Sequence, residues 1–364
     1  MASATPTMEW EECLIPRRPD PEIDQAFKAA FGYVPPVTAY LWSVPWLARV
    51  LIALNLGAGG LCEVDTELSE LVWLAVSQDN SCHYCFAAHR AFLRIQGFPE
   101  ERIRRLEQSF FEAGLDPKQR AAIEFARRIS RSNPMVGAAE IERMRSAGYS
   151  DAAVQEMAFI VGAVILANRT STLPAMPPQD YDGMADRPLV RLLRPLMARR
   201  LRSSHHKGSP GPLPDSMRSG PYQYLVSALE PLPAAPRLWT VLHETFSAPG
   251  LTDRARALVF AVVARGLGCP KAEGEAIRLL VEAGFPEPEV EPTLAHLASP
   301  ELDEVEAVVV PFARDTIRYA EPAPLQRRTR DVLTQVGPAA FGALNGIVGV
   351  ANMVCRMGCV VETH

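Results

Sequence analysis

The chain has 364 residues, of which 48% are hydrophobic and 22% are charged, and this balance excludes an intrinsically disordered protein. A chain of this length usually divides between two hydrophobic cores, so two domains are expected. The net charge of −5 lacks the basic excess that is typical of nucleic-acid-binding proteins, and we expect no nucleic-acid partner.

The N-terminal thirty residues are rich in charged side chains and contain no apolar run of signal-peptide length. They predict no export signal and a cytoplasmic location. The longest apolar run, residues 157–167 (MAFIVGAVILA), is too short to span a bilayer, so it predicts a buried core helix and no membrane partner. The seven cysteines are expected to be reduced thiols, and any disulfide among them to be catalytic.

Apolar residues recur at helical spacing along most of the chain, and strand signals are scarce. In chain order, this spacing predicts helices that begin near Thr66 and Cys82, followed by helices over residues 121–130, 140–147 and 275–283. A glycine follows three of these segments, as expected at a helix C-cap: Gly97, Gly148 and Gly284. The chain is therefore predicted to be all-α.

The second half of the chain repeats the first at one constant offset. The matched segments begin at Cys82 and Cys269, Gly97 and Gly284, Leu115 and Leu302, Phe125 and Phe312, and Ile160 and Ile347. Chance similarity does not keep one offset over so long a stretch, so we interpret the halves as one duplicated helical domain. The predicted domains are residues 1–172 and 222–364, and a linker rich in proline and arginine joins them over residues 173–221.

The linker contains a basic segment, residues 187–207, with seven Lys or Arg residues and no acid. We expect this segment to be a solvated helix or one that packs across both domains. Binding to an anionic surface is the alternative. His205 and His206 at its end are expected to be solvated.

Two cysteines and a histidine occur together in SCHYCFAAH, at the start of a predicted helix. With Asn80 or Ser81 as the N-cap, Cys82 lies in the first turn, and Cys85 and His89 lie on the same face. A helix N-terminus stabilises a thiolate, and a histidine can accept a thiol proton. The second thiol can close an intramolecular disulfide.

Glu70 lies among leucines and a valine on the preceding predicted helix, where a carboxylate needs a polar partner. Together, Glu70, Cys82, Cys85 and His89 resemble the signature of the alkylhydroperoxidase AhpD family, in which Glu and eleven further residues precede Cys-x-x-Cys-x-x-x-His. The run YCFAAH and the Asn-Arg pair at Asn168 also resemble that family, which belongs to the wider carboxymuconolactone decarboxylase-like superfamily.

The resemblance implies an all-helical antioxidant oxidoreductase with alkylhydroperoxidase-like peroxiredoxin activity. It implies that Cys85 is the peroxidatic cysteine and that Cys82 is the resolving thiol and proton donor. His89 and Glu70 would form the proton relay.

AhpD has a histidine directly before the second cysteine, where this chain has Tyr84 and places a histidine at His83. These two residues are therefore candidate members of the relay. The resemblance further implies a small hydroperoxide substrate, a dithiol or lipoylated protein as reductant, and a homo-oligomer such as a trimer of pseudo-dimers. It implies no cofactor and no metal.

The predicted second domain lacks most of the motif. Alanines stand opposite three of its residues: Ala257 opposite Glu70, Ala272 opposite Cys85, and Ala276 opposite His89. Cys269 stands opposite Cys82, and we interpret it as a lone buried thiol. The second domain is therefore expected to be catalytically inactive and to support the assembly.

Three other functions remain open at this point. The four motif residues could bind zinc, the chain could be a carboxymuconolactone decarboxylase-type enzyme, or it could be a non-catalytic or redox-sensing scaffold of AhpD-like fold. Covalent haem is excluded because Phe86, not histidine, follows the second cysteine. Cys355 and Cys359 could pair or bind a metal, although core packing is the simpler expectation. Trp73 and Phe86 are core residues or walls of an apolar pocket.

Overall fold

The computed structural model describes residues 12–54, 61–110, 114–178, single positions between 183 and 199, 211–318 and 322–363. Throughout these residues the regular structure is helical, and they contain no strand, which confirms the all-α prediction. Most of the basic linker segment, including His205 and His206, lies outside the described residues. The linker boundaries therefore stay a prediction.

The first half contains eight α-helices in its described residues. They are α1 (Pro21–Phe31), α2 (Pro45–Leu54), α3 (Thr66–Asp79), α4 (His83–Ile95), α5 (Glu100–Gln108), α6 (Pro117–Arg131), α7 (Ala138–Ser146) and α8 (Asp151–Thr172), with a short 3-10 helix at Pro36–Tyr40. Short polar residues set several of their starts: the side chain of Asp65 accepts the N–H of Leu68, and Ser150 accepts that of Ala153. The sequence places such residues directly before apolar helical runs.

The second half repeats this order over residues 223–363. Its helices are α9 (Gln223–Ala228), α10 (Ala234–Phe246), α11 (Asp253–Leu267), α12 (Pro270–Glu282), α13 (Glu287–His296), α14 (Glu304–Asp315) and α15 (Pro322–Thr363). Helices α11 to α14 begin at the repeat offset from α3 to α6. The backbone of α15 is non-helical at Gly337, and the segment after that break corresponds to α8.

The two halves pack through equivalent helices, α8 and the second segment of α15. A Cβ atom on Gly162 would lie 3.0 Å from Sδ of Met357, and a Cβ atom on its counterpart Gly349 would lie 3.1 Å from Cγ2 of Thr170. Since Thr170 is also the counterpart of Met357, both contacts follow one pseudo-twofold relation. Glycine is needed at these positions because the helices approach closely.

Two buried arginines, one in each half, make equivalent hydrogen bonds to the other half. Nη2 of Arg169 donates to the carbonyl oxygen of Ile317 at 2.8 Å, and Nε of its counterpart Arg356 donates to that of Ser130 at 3.3 Å. Ser130 and Ile317 are themselves counterparts, so each half binds the end of the other's α6-like helix. The chain therefore folds as an internal pseudo-dimer.

The apolar run at residues 157–167 lies inside α8, and every residue of it is buried, which confirms the predicted core helix. Two helical segments of the described chain, 151–172 and 325–363, are long and apolar enough to cross a membrane by length and composition. Within their apolar windows, 83% and 94% of the residues are buried inside the protein, as in core helices.

Cys269 and Cys359 form a disulfide, with Cα atoms 5.5 Å apart. The expectation that every structural thiol is reduced is therefore wrong, and so is the interpretation of Cys269 as a lone thiol. Cys355 does not pair with Cys359 and is a buried free thiol. The cause is tertiary: the start of α12 packs against the end of α15, bringing together cysteines that are 90 residues apart.

Candidate active site

The turn between α3 and α4 places the first cysteine of the motif at the helix start. Asn80 is the C-cap of α3, Ser81 has a left-handed backbone with φ of 51°, and Cys82 is the N-cap of α4. The prediction of Asn80 or Ser81 as the N-cap is therefore wrong. The left-handed Ser81 reverses the chain so tightly that the sulfur of Cys82 itself accepts the backbone N–H of Cys85, at 3.4 Å.

Glu70 and His89 form a buried hydrogen-bonded pair, each only 5% exposed. The Nδ1–H of His89 donates to Oε2 of Glu70 at 2.6 Å. The indole of Trp73 stacks on the imidazole, with ring centroids 4.3 Å apart. These two contacts fix the ring and leave Nε2 as the nitrogen that can exchange a proton.

The two thiols of the motif are buried and differ in acidity. Burial alone would raise the pKa of Cys82, but hydrogen bonds from the thiol and the backbone N–H of Cys85, with a smaller contribution from the nearby hydroxyl of Ser171, lower it below the usual value of 9.0. Burial raises the pKa of Cys85 well above 9.0, and its hydrogen bond to Cys82 raises it further. Of the two thiols, Cys82 is therefore the one that loses its proton first, and Cys85 keeps its proton to higher pH.

A polar network under the thiols links α3, α6 and α8. The Nδ2 of Asn80 donates to Oγ of Ser130 at 3.0 Å and to Oδ1 of Asn168 at 2.9 Å. The Nδ2 of Asn168 donates to Oγ of Ser77 at 3.1 Å. These buried bonds hold the end of α8, and with it Ser171, whose hydroxyl accepts from the Cys85 thiol at 3.9 Å.

A cavity of about 90 Å³ opens on Cys85 and His89. Its walls are mostly apolar and include Phe27, Phe31, Val37, Leu51, Trp73 and Phe92. Cys82 is not among the lining residues, so a ligand in the cavity meets Cys85 first. Trp73 is a pocket wall, whereas Phe86 is a partly buried residue that packs against the core.

Sequence reasoning missed the contribution of α1 and the loop after it. Phe27, Phe31, Tyr33, Pro35 and Val37 all line the cavity. These residues precede Cys82 by more than forty positions and match no pattern of their own. Their spacing on α1 predicts only an apolar face, so the docking of that face over the motif could not be inferred.

The two candidate relay residues lie in different places. Tyr84 is 7% exposed and lines the cavity beside Cys85. His83 is half-buried and is not among the lining residues, and burial lowers its pKa below 6.5, which keeps it neutral at pH 7. Of the two, only Tyr84 shares the cavity with the predicted reactive thiol.

The corresponding region of the second half has lost these groups. Ala257, Ala272 and Ala276 are fully or almost fully buried. The hydroxyl of Tyr222 donates to the carbonyl oxygen of Ala272 at 3.1 Å, so a phenol packs against the position opposite Cys85. An inactive second half stays a prediction, and this packing agrees with it.

A zinc site has no support in the described part of the chain. Its residues contain no group of three or more His, Cys, Asp or Glu side chains arranged to hold a metal ion. Glu70 and His89 bond to each other, and the two sulfurs share a proton. These contacts are the reason why the four residues of the motif act as two pairs rather than as one ligand set.

Comparison with known proteins gives one family and several similar structures. Residues 45–128 match the model of the carboxymuconolactone decarboxylase family. One similar crystal structure is described as alkylhydroperoxidase AhpD core, an uncharacterized peroxidase-related protein from Ralstonia eutropha JMP134. The two sequences are 28% identical, and the alignment covers 46% of this chain and 93% of that protein, with a TM-score of 0.40. A second structure, an uncharacterized peroxidase-related protein from Silicibacter sp. TM1040, is 24% identical to this chain. That alignment covers 48% of this chain and 96% of the Silicibacter protein, with a TM-score of 0.40. No curated protein matches significantly.

Proposed function

Because this chain belongs, through residues 45–128, to the carboxymuconolactone decarboxylase-like superfamily, we propose that it is a thiol-dependent peroxidase that reduces organic hydroperoxides. One observation carries the proposal: Cys85 and the Glu70-bound His89 line the same apolar cavity, and Cys82, whose sulfur accepts the backbone N–H of Cys85 at 3.4 Å, is the more acidic thiol. This arrangement supplies an accessible sulfur, a proton carrier and a second sulfur.

The first step needs a nucleophilic sulfur in the cavity. The proton on Cys85 passes to Cys82 across their hydrogen bond, or to Nε2 of His89, and frees the sulfur of Cys85. That sulfur attacks the terminal oxygen of the hydroperoxide, and the O–O bond breaks. The alkoxide takes the proton held on Cys82 or His89 and leaves as an alcohol, and Cys85 becomes a sulfenic acid.

The second step closes the disulfide. The Cys82 thiolate attacks the sulfur of the Cys85 sulfenic acid, the S–O bond breaks, and the oxygen leaves as hydroxide, which takes a proton from solvent and becomes water. Two electrons have then passed from the dithiol to the peroxide. A small dithiol or a lipoylated protein, as the resemblance implies, would restore both thiols by exchange through a mixed disulfide. Assembly into a homo-oligomer and a cytoplasmic location stay predictions.

The roles of the two cysteines can be separated by intact mass after one peroxide addition. The wild-type protein should lose two hydrogens, the Cys82→Ser variant should gain one oxygen at Cys85, and the Cys85→Ser variant should stay unchanged. Cys355→Ser, which removes a buried thiol on α15, is the matched control and should behave as the wild type.

Turnover with cumene hydroperoxide and dithiothreitol gives the second readout. Both motif variants should lose almost all peroxide consumption. Oxygen gain at Cys82 in the Cys85→Ser protein would reverse the roles. Wild-type thiols that persist after peroxide treatment would instead favour a non-catalytic scaffold and refute the proposal.

A further inference from the structure

At one pair of equivalent positions, the first half has a largely buried carboxylate and the second half has none. Asp79, at the end of α3, accepts two hydrogen bonds from Arg127 on α6, from Nε at 2.7 Å and from Nη2 at 2.6 Å. Arg131, one turn later, pairs with the same carboxylate at 3.2 Å. The Asp79 side chain is only 10% exposed, so two arginines compensate one largely buried carboxylate.

The second half keeps both arginines and loses the acid. Arg314 and Arg318 on α14 and just after it are the counterparts of Arg127 and Arg131, and Gly266 on α11 is the counterpart of Asp79. Among the described residues, neither Arg314 nor Arg318 has an ion-pair partner. A Cβ atom on Gly266 would overlap the guanidinium of Arg314, so that guanidinium lies in the space that an acidic side chain would enter.

A cavity of about 270 Å³ opens at this place. The guanidinium of Arg314 and the backbone of Gly266 form one side, and Val262, Leu294 and Leu297 form apolar walls. Besides the change from aspartate to glycine, a second residue that lines this cavity is smaller than its counterpart. Leu297 stands where the first half has Phe110, whose ring centroid lies 5.9 Å from Cζ of Arg127.

Arg265, which also lines the cavity, is already neutralised. Its guanidinium pairs with Glu273 at 2.6 Å and with Glu291 at 2.5 Å. The cation that remains for a ligand is therefore Arg314, with Arg318 one turn away. An arginine fork binds a carboxylate with two parallel hydrogen bonds, which is the arrangement that Arg127 makes in the first half.

We propose that this cavity binds the carboxylate of a small organic acid with a short apolar chain. The acid takes the position that Asp79 occupies in the first half, and its apolar part lies against Leu294 and Leu297. The inference does not depend on the peroxidase chemistry, because every residue that lines the cavity lies in the second half, away from the dithiol motif.

Isothermal titration calorimetry of the full chain tests the proposal with butyrate and benzoate as probes, and with butyramide and inorganic phosphate as comparisons. We expect saturable binding of the two acids, none of the amide, and weaker binding of phosphate. The Arg314→Ala variant should bind the acids at least tenfold more weakly, since it loses a charge-assisted hydrogen bond pair. Arg104→Ala, which removes an exposed arginine on α5, should change nothing.

Replacing Gly266 makes a second test that does not remove any cation. The Gly266→Asp variant restores the acid of the first half, and its Cβ atom requires both the end of the Arg314 side chain and Cδ1 of Ile317 to move. It should abolish acid binding and melt at a higher temperature than the equally large Gly266→Asn variant. The proposal would be overturned if the wild-type protein did not bind the acids, or if Arg314→Ala or Gly266→Asp bound them as tightly as the wild type. Phosphate binding as tight as that of the acids would also overturn it.

Discussion

Removing the disulfide between Cys269 and Cys359 should destabilise the protein strongly. The bond closes a loop with a sequence separation of 90. Chain-entropy theory gives a loop of this size a stabilisation of about 4.6 kcal/mol at 25 °C, from the conformational freedom that the cross-link removes from the unfolded chain. Both sulfurs lie where α12 meets the end of α15, so the bond also fastens the helix that forms the interface between the two halves.

Urea unfolding of the Cys359→Ser variant, monitored by circular dichroism without reductant, measures this contribution. Serine also replaces a buried sulfur by a hydroxyl, and Cys355→Ser on the same helix provides the control for that change, because Cys355 is buried and free. The free energy of unfolding should fall about 4 to 5 kcal/mol further in Cys359→Ser than in the control.

Two results would refute this reasoning. One is a difference between the variants of less than about 1 kcal/mol, which would mean that the cross-link does not restrict the unfolded chain. The other is alkylation of both Cys269 and Cys359 in denaturant without reductant, which would show that the bond is absent from the purified protein.

Three further predictions concern the active site and the interface. Glu70→Gln should lower peroxidase turnover about a hundredfold because His89 loses the carboxyl group that holds its Nδ1, whereas Glu67→Gln, a partly exposed change on the same helix, should leave it unchanged. In a pH titration of the wild-type protein, thiolate absorbance at 240 nm should rise with a midpoint below pH 9.0, because a thiol with a lowered pKa ionises at lower pH. This rise should vanish in Cys82→Ser, and its persistence there would contradict the assignment of the lowered pKa to Cys82. Gly162→Ala should lower the free energy of unfolding by about 1–3 kcal/mol through overpacking, while Gly274→Ala, with open space around it, should raise it by up to about 1 kcal/mol in the same urea assay.

The fold class and the site could be predicted because they rest on local patterns. Helical spacing of apolar residues and short polar caps specify the helices, and these signals act over a few residues. The spacing of Cys82, Cys85 and His89 places them on one helix, and the apolar surroundings of Glu70 indicate a buried partner. The structure identifies that partner as His89.

The N-cap and the acidity of the thiols could not be predicted in the same way. Whether Ser81 or Cys82 begins α4 depends on the left-handed turn that joins it to α3. The lowered pKa of Cys82 depends first on hydrogen bonds from Cys85 and then on a hydroxyl at the far end of α8, from Ser171. That hydroxyl comes from a helix that is distant in sequence and approaches only when the core forms.

The sequence by itself determined that the protein is helical, that it is duplicated, and that one half alone carries the dithiol motif. Only the tertiary structure decided which distant surfaces meet: the disulfide at Cys269, the apolar cover that α1 places over Cys85, and the cavity beside Arg314. The physical reason is the distance along the chain over which each kind of interaction acts. Caps and helical faces act between neighbouring residues, whereas a disulfide, a cavity wall or a lost ion pair depends on which distant surfaces meet.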